Sequence, residues 1–410
     1  MSVDAERLAA EIETLSRFSD DPWPAVTRVL FTPPDIEARA WFLARCEEAG
    51  LEMRFDAIGN LFARWVGTEP DLAAVATGSH NDALPMAGRF DGVVGVLGGL
   101  EAIRSLQRQG VRPRRSIELI MFTAEEPTRF GIGCIGSRLM SGALTPERVE
   151  ALLDDEGLAL SEASVRAGYS GAVDQVRLDD GRYAAFVELH IEQGPLLERR
   201  GVPIGVVEAI AAPATLRVEF SGSGGHAGAL LMGDRHDPIV AAAQVILATN
   251  RAARATGAID TVATCGLMHV SPGAVNSVPR HVRLEIDVRD TDLARRDATL
   301  ASIRSAATQA AKDTGVELNT VVLNADPPAT CDPQVIAAIT ATCDELGLPF
   351  DRMVSRAYHD TTFMATISPS AMIFIPCRDG VSHRPDEYAS PADIARGVQV
   401  LAGTLARLAR

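Results

Sequence analysis

Between residues 215 and 323 the chain leaves one rhythm of hydrophobicity for another and then returns to the first, and this interruption limits its architecture more than any other feature. Before it, short apolar runs alternate with longer helical patterns. Helices are predicted over 4–18 and 34–49, a strand over 73–77, a helix over 95–108 closed by Gly110, and strands over 117–123 and 183–190. That βαβ alternation predicts a mostly parallel sheet covered by helices, with the weakly periodic stretch 144–180 outside the sheet. Inside the interruption the order is strand 215–220, helix 238–255, strands 261–269 and 282–289, helix 293–314 and strand 316–323. This is the split β-α-β-β-α-β unit of a ferredoxin-like domain. The first rhythm resumes with a helix over 333–347, a strand over 371–376 and a closing helix over 391–408. The expected fold is therefore α/β. A mostly parallel-sheet domain built from 1–211 and 325–410 carries an inserted ferredoxin-like α+β domain at 212–324.

At 410 residues and 47% apolar content, the chain can bury a large core, and its length favours two domains. A formal net charge of -15 opposes nucleic acid or an anionic membrane as partner, because the average surface repels a polyanion. An anionic ligand must be held by local charge. No apolar stretch is long enough to span a bilayer, and the chain opens on an acidic amphipathic helix, so a cytoplasmic protein is expected. Six scattered cysteines without a Cys-x-x-Cys pair fit that compartment. Lys312 is the single lysine and lies far from every motif, which argues against Schiff-base chemistry and a Walker phosphate loop.

Five short motifs carry the candidate chemistry: Gly78-Ser79-His80-Asn81-Asp82, Gly88-Arg89-Phe90-Asp91-Gly92, Thr123-Ala124-Glu125-Glu126, Glu188-Leu189-His190-Ile191-Glu192 and Val381-Ser382-His383. The first four lie at or just after apolar runs, at the C-terminal edge of the predicted sheet, where open α/β sheets build their sites. One histidine there is an ordinary polar cap. As a set, His80, Asp91, Glu126, His190 and His383 supply nitrogen and oxygen ligands without a thiolate, which suits two divalent ions such as Zn, Mn, Co or Ni with Asp91 shared. Asp82, two residues beyond His80, is placed to orient the imidazole through its other nitrogen. Adjacent strand-end side chains diverge, so Glu126 can bind metal while Glu125 is either a solvated charge or a general base.

These motifs, with Glu188-Leu189-His190-Ile191-Glu192-Gln193-Gly194-Pro195, resemble the amidohydrolase branch of the aminoacylase-type dinuclear metallopeptidases. That branch holds the N-carbamoyl-L-amino acid, allantoate and ureidoglycolate amidohydrolases. The resemblance implies one ion on His80, Asp91 and His190, another on Asp91, Glu126 and His383, and Glu125 as the base. Asp82 supports His80, and Gln193 lines the substrate pocket. Gly224-Gly225-His226-Ala227-Gly228, Gly273-Ala274-Val275-Asn276-Ser277 and Asp287-Val288-Arg289 look like the family's lid motifs. The insertion then becomes a lid and dimerisation domain that places these groups over the partner's metals. His226 would polarise the scissile carbonyl and stabilise its oxyanion, while Asn276 and Arg289 would grip a carboxylate. A homodimer is expected, paired through the exposed edge of the insertion.

Three segments depart from the commoner carbamoylase pattern: Ala229-Leu230-Leu231-Met232, Arg356-Ala357-Tyr358-His359-Asp360 and Pro127-Thr128-Arg129-Phe130-Gly131-Ile132. All three look like the ureidoglycolate amidohydrolases of purine-ring breakdown. The resemblance implies cleavage of the terminal ureido C–N bond of (S)-ureidoglycolate, with two divalent ions, manganese foremost, per subunit. Arg356 and Tyr358 would narrow the pocket around a small substrate, and Tyr358 or His359 would bond its hydroxyl. The alternatives are allantoate or N-carbamoyl-L-amino acid hydrolysis, or a dimeric binding protein without catalysis.

Overall fold

The computed structural model describes residues 2–410 and divides the chain into two compact units. The first comprises Met1–Glu208, Thr330–Met353 and His359–Arg410, and the second Ala209–Ala329 with Val354–Tyr358.

At the centre of the first unit, strands Ser370–Ile375, Tyr183–Ile191, Ala74–His80 and Ile117–Phe122 lie side by side and parallel. Ile204–Ile210 pairs antiparallel with Ser370–Ile375 on one flank, and the hairpin Leu61–Trp65 and Glu52–Phe55 extends the other. Every residue of Ile117–Phe122 and Ala74–His80 is buried, which explains why these strands read as mostly apolar runs without a two-residue alternation: both faces are covered. Helix Val93–Arg108 packs so closely that a Cβ on Gly95 would stand 2.4 Å from the Leu189 carbonyl oxygen. Only glycine allows that approach.

In the second unit the sheet order is Val262–Ser271, His281–Asp290, Ala212–Ser221, Glu317–Ala325, all antiparallel. Residues along His281–Asp290 alternate between half-buried and buried, so one face of the sheet is the core face. Helices Pro238–Ala255 and Leu293–Thr314 pack on it, joining Ala241, Val245 and Ile303 to Leu216, Val218, Leu284 and Ile286. Asp237 and Asp292 start the two helices by accepting backbone N–H groups of the first turn. This is the ferredoxin-like arrangement the spacing predicts.

The segment Val354–Tyr358 departs from the expected division, which gave it to the sheet domain. The Ala211 N–H donates to Ser355 O at 2.8 Å, Arg356 pairs with Asp260, and the Tyr358 hydroxyl donates to Asp326 at 2.8 Å. These three ties, spread over the insertion, hold the segment in the second unit. Sequence rhythm also passes over the flanking hairpin and the strand Phe350–Ser355. Both are short, and Glu52–Phe55 is largely exposed, so no buried alternation marks them.

Candidate metal centre

Parallel strands deliver their C-terminal ends to one edge, and the motifs gather there. His80 ends strand Ala74–His80, His190 is the penultimate residue of Tyr183–Ile191, and Glu125 and Glu126 follow Ile117–Phe122. Asp91 lies in the turn that opens helix Val93–Arg108, and His383 in the loop after Ser370–Ile375. The backbone bends sharply to achieve this. Ala124, Cys134, Gln193 and His383 all hold left-handed φ values of 54–58°, which residues with a Cβ adopt only where the surroundings enforce it.

The Asp91 carboxylate is the hub. Its Oδ1 lies 3.1 Å from His190 Nε2 and 3.5 Å from His80 Nε2, and its Oδ2 lies 3.2 Å from His383 Nε2. His383 Nε2 is also 3.6 Å from Glu126 Oε1. Two ligand groups result, His80-Asp91-His190 and Asp91-Glu126-His383, each with donor atoms within 4.8 Å of one another. Glu125 is the carboxylate left over. Its Oε2 stands 3.6 Å from His80 Nε2, and Cys134 Sγ donates to its Oε1 at 3.4 Å.

These candidate ligands are held from behind. His190 Nδ1 meets the Ile191 carbonyl at 2.9 Å, which leaves Nε2 facing the centre. His80 Nδ1 lies 3.1 Å from the Asp82 carbonyl oxygen and 3.7 Å from its Oδ1. The main chain of Asp82 thus makes the close contact, whereas a carboxylate contact was expected. The Asp82 carboxylate instead accepts the N–H groups of Glu126 and Glu125 at 3.0 and 3.4 Å, binding one strand end to the next. Gln193 Nε2 donates to Asp91 Oδ2 at 2.6 Å, while its buried Oε1 has no partner. His359 is buried with its ring 4.6 Å from that of His190, and together with Glu188 they form a further buried group of potential ligands.

Charge is concentrated around this hub. Burial works to raise the Asp91 carboxyl, but the His190, His383 and His80 rings outweigh it and hold it well below the usual range. Burial pushes Glu125 well above its ordinary value, reinforced by Glu126, Asp360 and Asp91, and pushes Glu126 up to about 7. The hydrogen bond to Asp91 takes His383 up to about 9. Buried Asp82, Glu188, Asp360 and Glu387 add to the excess of carboxyl groups. Imidazole and carboxylate donors without a thiolate, converging on a shared carboxylate in an acidic enclosure, fit a pair of divalent cations.

A model of peptidase family M20/M25/M40 matches residues 76–407. The chain belongs to this family. Among relatives in the M20/M25/M40 family, the ureidoglycolate hydrolase of Arabidopsis thaliana is 52% identical over 100% of this chain and 87% of its own length. The ureidoglycolate hydrolase of Oryza sativa subsp. japonica is 51% identical over 99% and 85%. The crystal structure of AtUAH in complex with (S)-hydroxyglycine superposes with a TM-score of 0.93 at 51% identity, covering 100% of this chain and 98% of that one. Like those relatives the chain is a hydrolase acting on C–N bonds. Among the described residues no helix is long and apolar enough to cross a membrane.

The remaining expected site residues lie in the second unit. A short antiparallel ladder sets His226 opposite Ser277, and Ala227 N–H donates to Asn276 O at 2.9 Å, so His226 and Asn276 come together, both exposed. Arg289 Nε donates to Asp287 Oδ1 at 2.8 Å and its Nη1 reaches Arg356 O at 3.4 Å. Sequence reasoning missed Glu387. Its neighbour Asp386 is exposed while Glu387 is buried, and no local pattern separates two adjacent acids. Nothing in the sequence marks Cys134, and the fold alone sets its buried thiol against Glu125.

Proposed function

We propose that this chain hydrolyses the terminal ureido C–N bond of (S)-ureidoglycolate, releasing ammonia. The remaining carbamate loses carbon dioxide to leave hydroxyglycine, which eliminates a second ammonia to give glyoxylate. The observation that carries the reading is the Glu125 carboxylate, outside both donor groups that share Asp91 yet 3.6 Å from His80. Support for the substrate comes from the ureidoglycolate hydrolases of the same family that this chain resembles along nearly its whole length.

In this reading His80, Asp91 and His190 hold one divalent ion and Asp91, Glu126 and His383 the other, with manganese the proposed metal. Such a pair supplies Lewis acidity toward the ureido carbonyl and lowers the pKa of water. Glu125 accepts a proton from the attacking water and returns it to the leaving nitrogen. Burial and the surrounding acids, which favour its protonated form, suit the second half of that shuttle. Asp82 keeps His80 and the Glu125-Glu126 strand end in register. Gln193 offers an unpaired oxygen to the ureido N–H groups, and His359 is the group proposed for the substrate hydroxyl.

We further propose a homodimer in which His226, Asn276 and Arg289 serve the partner's centre, His226 at the developing oxyanion and the other two at the carboxylate. Exposed Val262, Leu267 and Met268 on the edge strand, with Ile239, Val240 and Leu247 on the helix Pro238–Ala255, support pairing through this unit. The Tyr358 hydroxyl is engaged by Asp326, so in this reading Tyr358 shapes the pocket rather than bonding substrate. A cytoplasmic setting and a place in purine (allantoin) catabolism belong to the same proposal.

Purified, manganese-loaded protein assayed for ammonia should turn over ureidoglycolate faster than allantoate or N-carbamoyl-L-amino acids. Faster turnover of either rival would reassign the substrate.

A further inference from the structure

We propose that Glu387 is a positioning residue that sets the spacing between Asp91 and His383, and thereby the affinity of the Asp91-Glu126-His383 subsite for its cation. The inference rests on the two-ion reading of the centre.

Glu387 is 2% exposed, and both its oxygens are used. Oε1 accepts the backbone N–H groups of Phe90 at 2.9 Å and Asp91 at 3.1 Å. Oε2 lies 2.9 Å from Ser382 Oγ, which is itself 2.8 Å from Asp91 Oδ2. One side chain therefore joins the Asp91 turn to the loop that carries His383, almost three hundred residues later. Gly88 is pressed against it, since a Cβ there would fall 2.3 Å from Oε1 and 2.4 Å from the Glu387 Cβ. A buried carboxylate is costly unless its hydrogen bonds are met. An apolar side chain could fill the same volume, but it could not gather three donors from two loops.

The two subsites depend on this tie unequally. His80 and His190 sit on central strands and are anchored by the Asp82 and Ile191 carbonyls. His383 sits on a left-handed loop residue with a half-exposed side chain, and its position relative to Asp91 passes through Ser382 and Glu387. Loss of Glu387 should loosen the second subsite and leave the first.

The test is calorimetric titration of Mn2+ into metal-stripped protein, with thermal melting as a check on folding. Wild type should take up two ions per chain. Glu387→Ala should keep one ion at wild-type affinity and bind the other about 10–100-fold more weakly, the range for lost outer-shell partners of metal ligands. Glu387→Gln should recover most of that loss, because its amide oxygen still accepts the Phe90 and Asp91 N–H groups, and Ser382→Ala should show a smaller defect at the same subsite. If Glu387→Ala does not fold, the other two variants carry the test. Two ions at wild-type affinity in every variant, or equal losses at both subsites with no rescue by glutamine, would overturn the proposal. A wild-type protein that takes up fewer than two ions would instead refute the two-ion reading from which the proposal starts.

Discussion

Gly92 lies against His80 so closely that a Cβ on Gly92 would stand 2.5 Å from the ring Nε2. Gly92 also holds a φ of +64°, where a side chain is strained. Gly92→Ala should therefore cost about 1–3 kcal/mol for the strained positive-φ backbone alone and push the imidazole out of line. A lowered melting temperature with weakened binding at the His80-Asp91-His190 subsite is expected, measured by melting and Mn2+ titration.

Glu125 contributes to neither ligand group, so its amide variant should separate chemistry from metal binding. Glu125→Gln should retain two ions while kcat falls about 10²–10⁴-fold, the usual contribution of a general acid-base group. Metal content by atomic absorption, measured beside steady-state kinetics, checks both halves.

Away from the centre, Arg39 and Asp35 form a buried pair, with Arg39 Nε 2.9 Å from Asp35 Oδ2 and the two side chains 4% and 0% exposed. Arg39 also donates to Gly59 O at 2.7 Å. Asp35→Ala strands a buried guanidinium and should destabilise the protein by about 3–5 kcal/mol. Equilibrium denaturation reads the loss, and Asp35→Asn should recover part of it, because the Phe31 N–H that donates to Asp35 at 2.8 Å keeps an acceptor.

The proposed sharing of each centre between two subunits predicts complementation between two inactive proteins. Glu125→Gln and His226→Ala should each be inactive alone. After subunit exchange, random pairing makes half the dimers hybrid, each with one complete centre, so about a quarter of wild-type activity should return. No recovery after exchange shown by light scattering and mass tagging would mean that His226 serves its own chain.

What could be read from the residues follows from where each signal lies. Helices Pro238–Ala255, Leu293–Thr314 and Pro391–Leu408 were legible to the residue because a capping Asp or Ser precedes each and helix-forming residues fill them, with strong amphipathic periodicity in the last. The candidate metal ligands stood out because each lies in a compact motif, four of the five motifs at or just after an apolar run and His383 in the loop beyond Ser370–Ile375. Glu387 was not, because its role comes from meeting Phe90 and Asp91 across the chain. Tyr358 was expected, as an alternative to His359, to bond a substrate hydroxyl, whereas its own hydroxyl donates to Asp326, a partner thirty-two residues away that no local pattern announces. The Asp82 contact was anticipated, but through the wrong atoms, since a two-residue offset does not say whether carbonyl or carboxylate faces the imidazole.

Diffraction from manganese-soaked crystals at the metal's absorption edge tests the account most directly. Two anomalous peaks are expected on either side of the Asp91 carboxylate, one within reach of His80 and His190 and the other of Glu126 and His383. A single peak, or peaks away from Asp91, would contradict it.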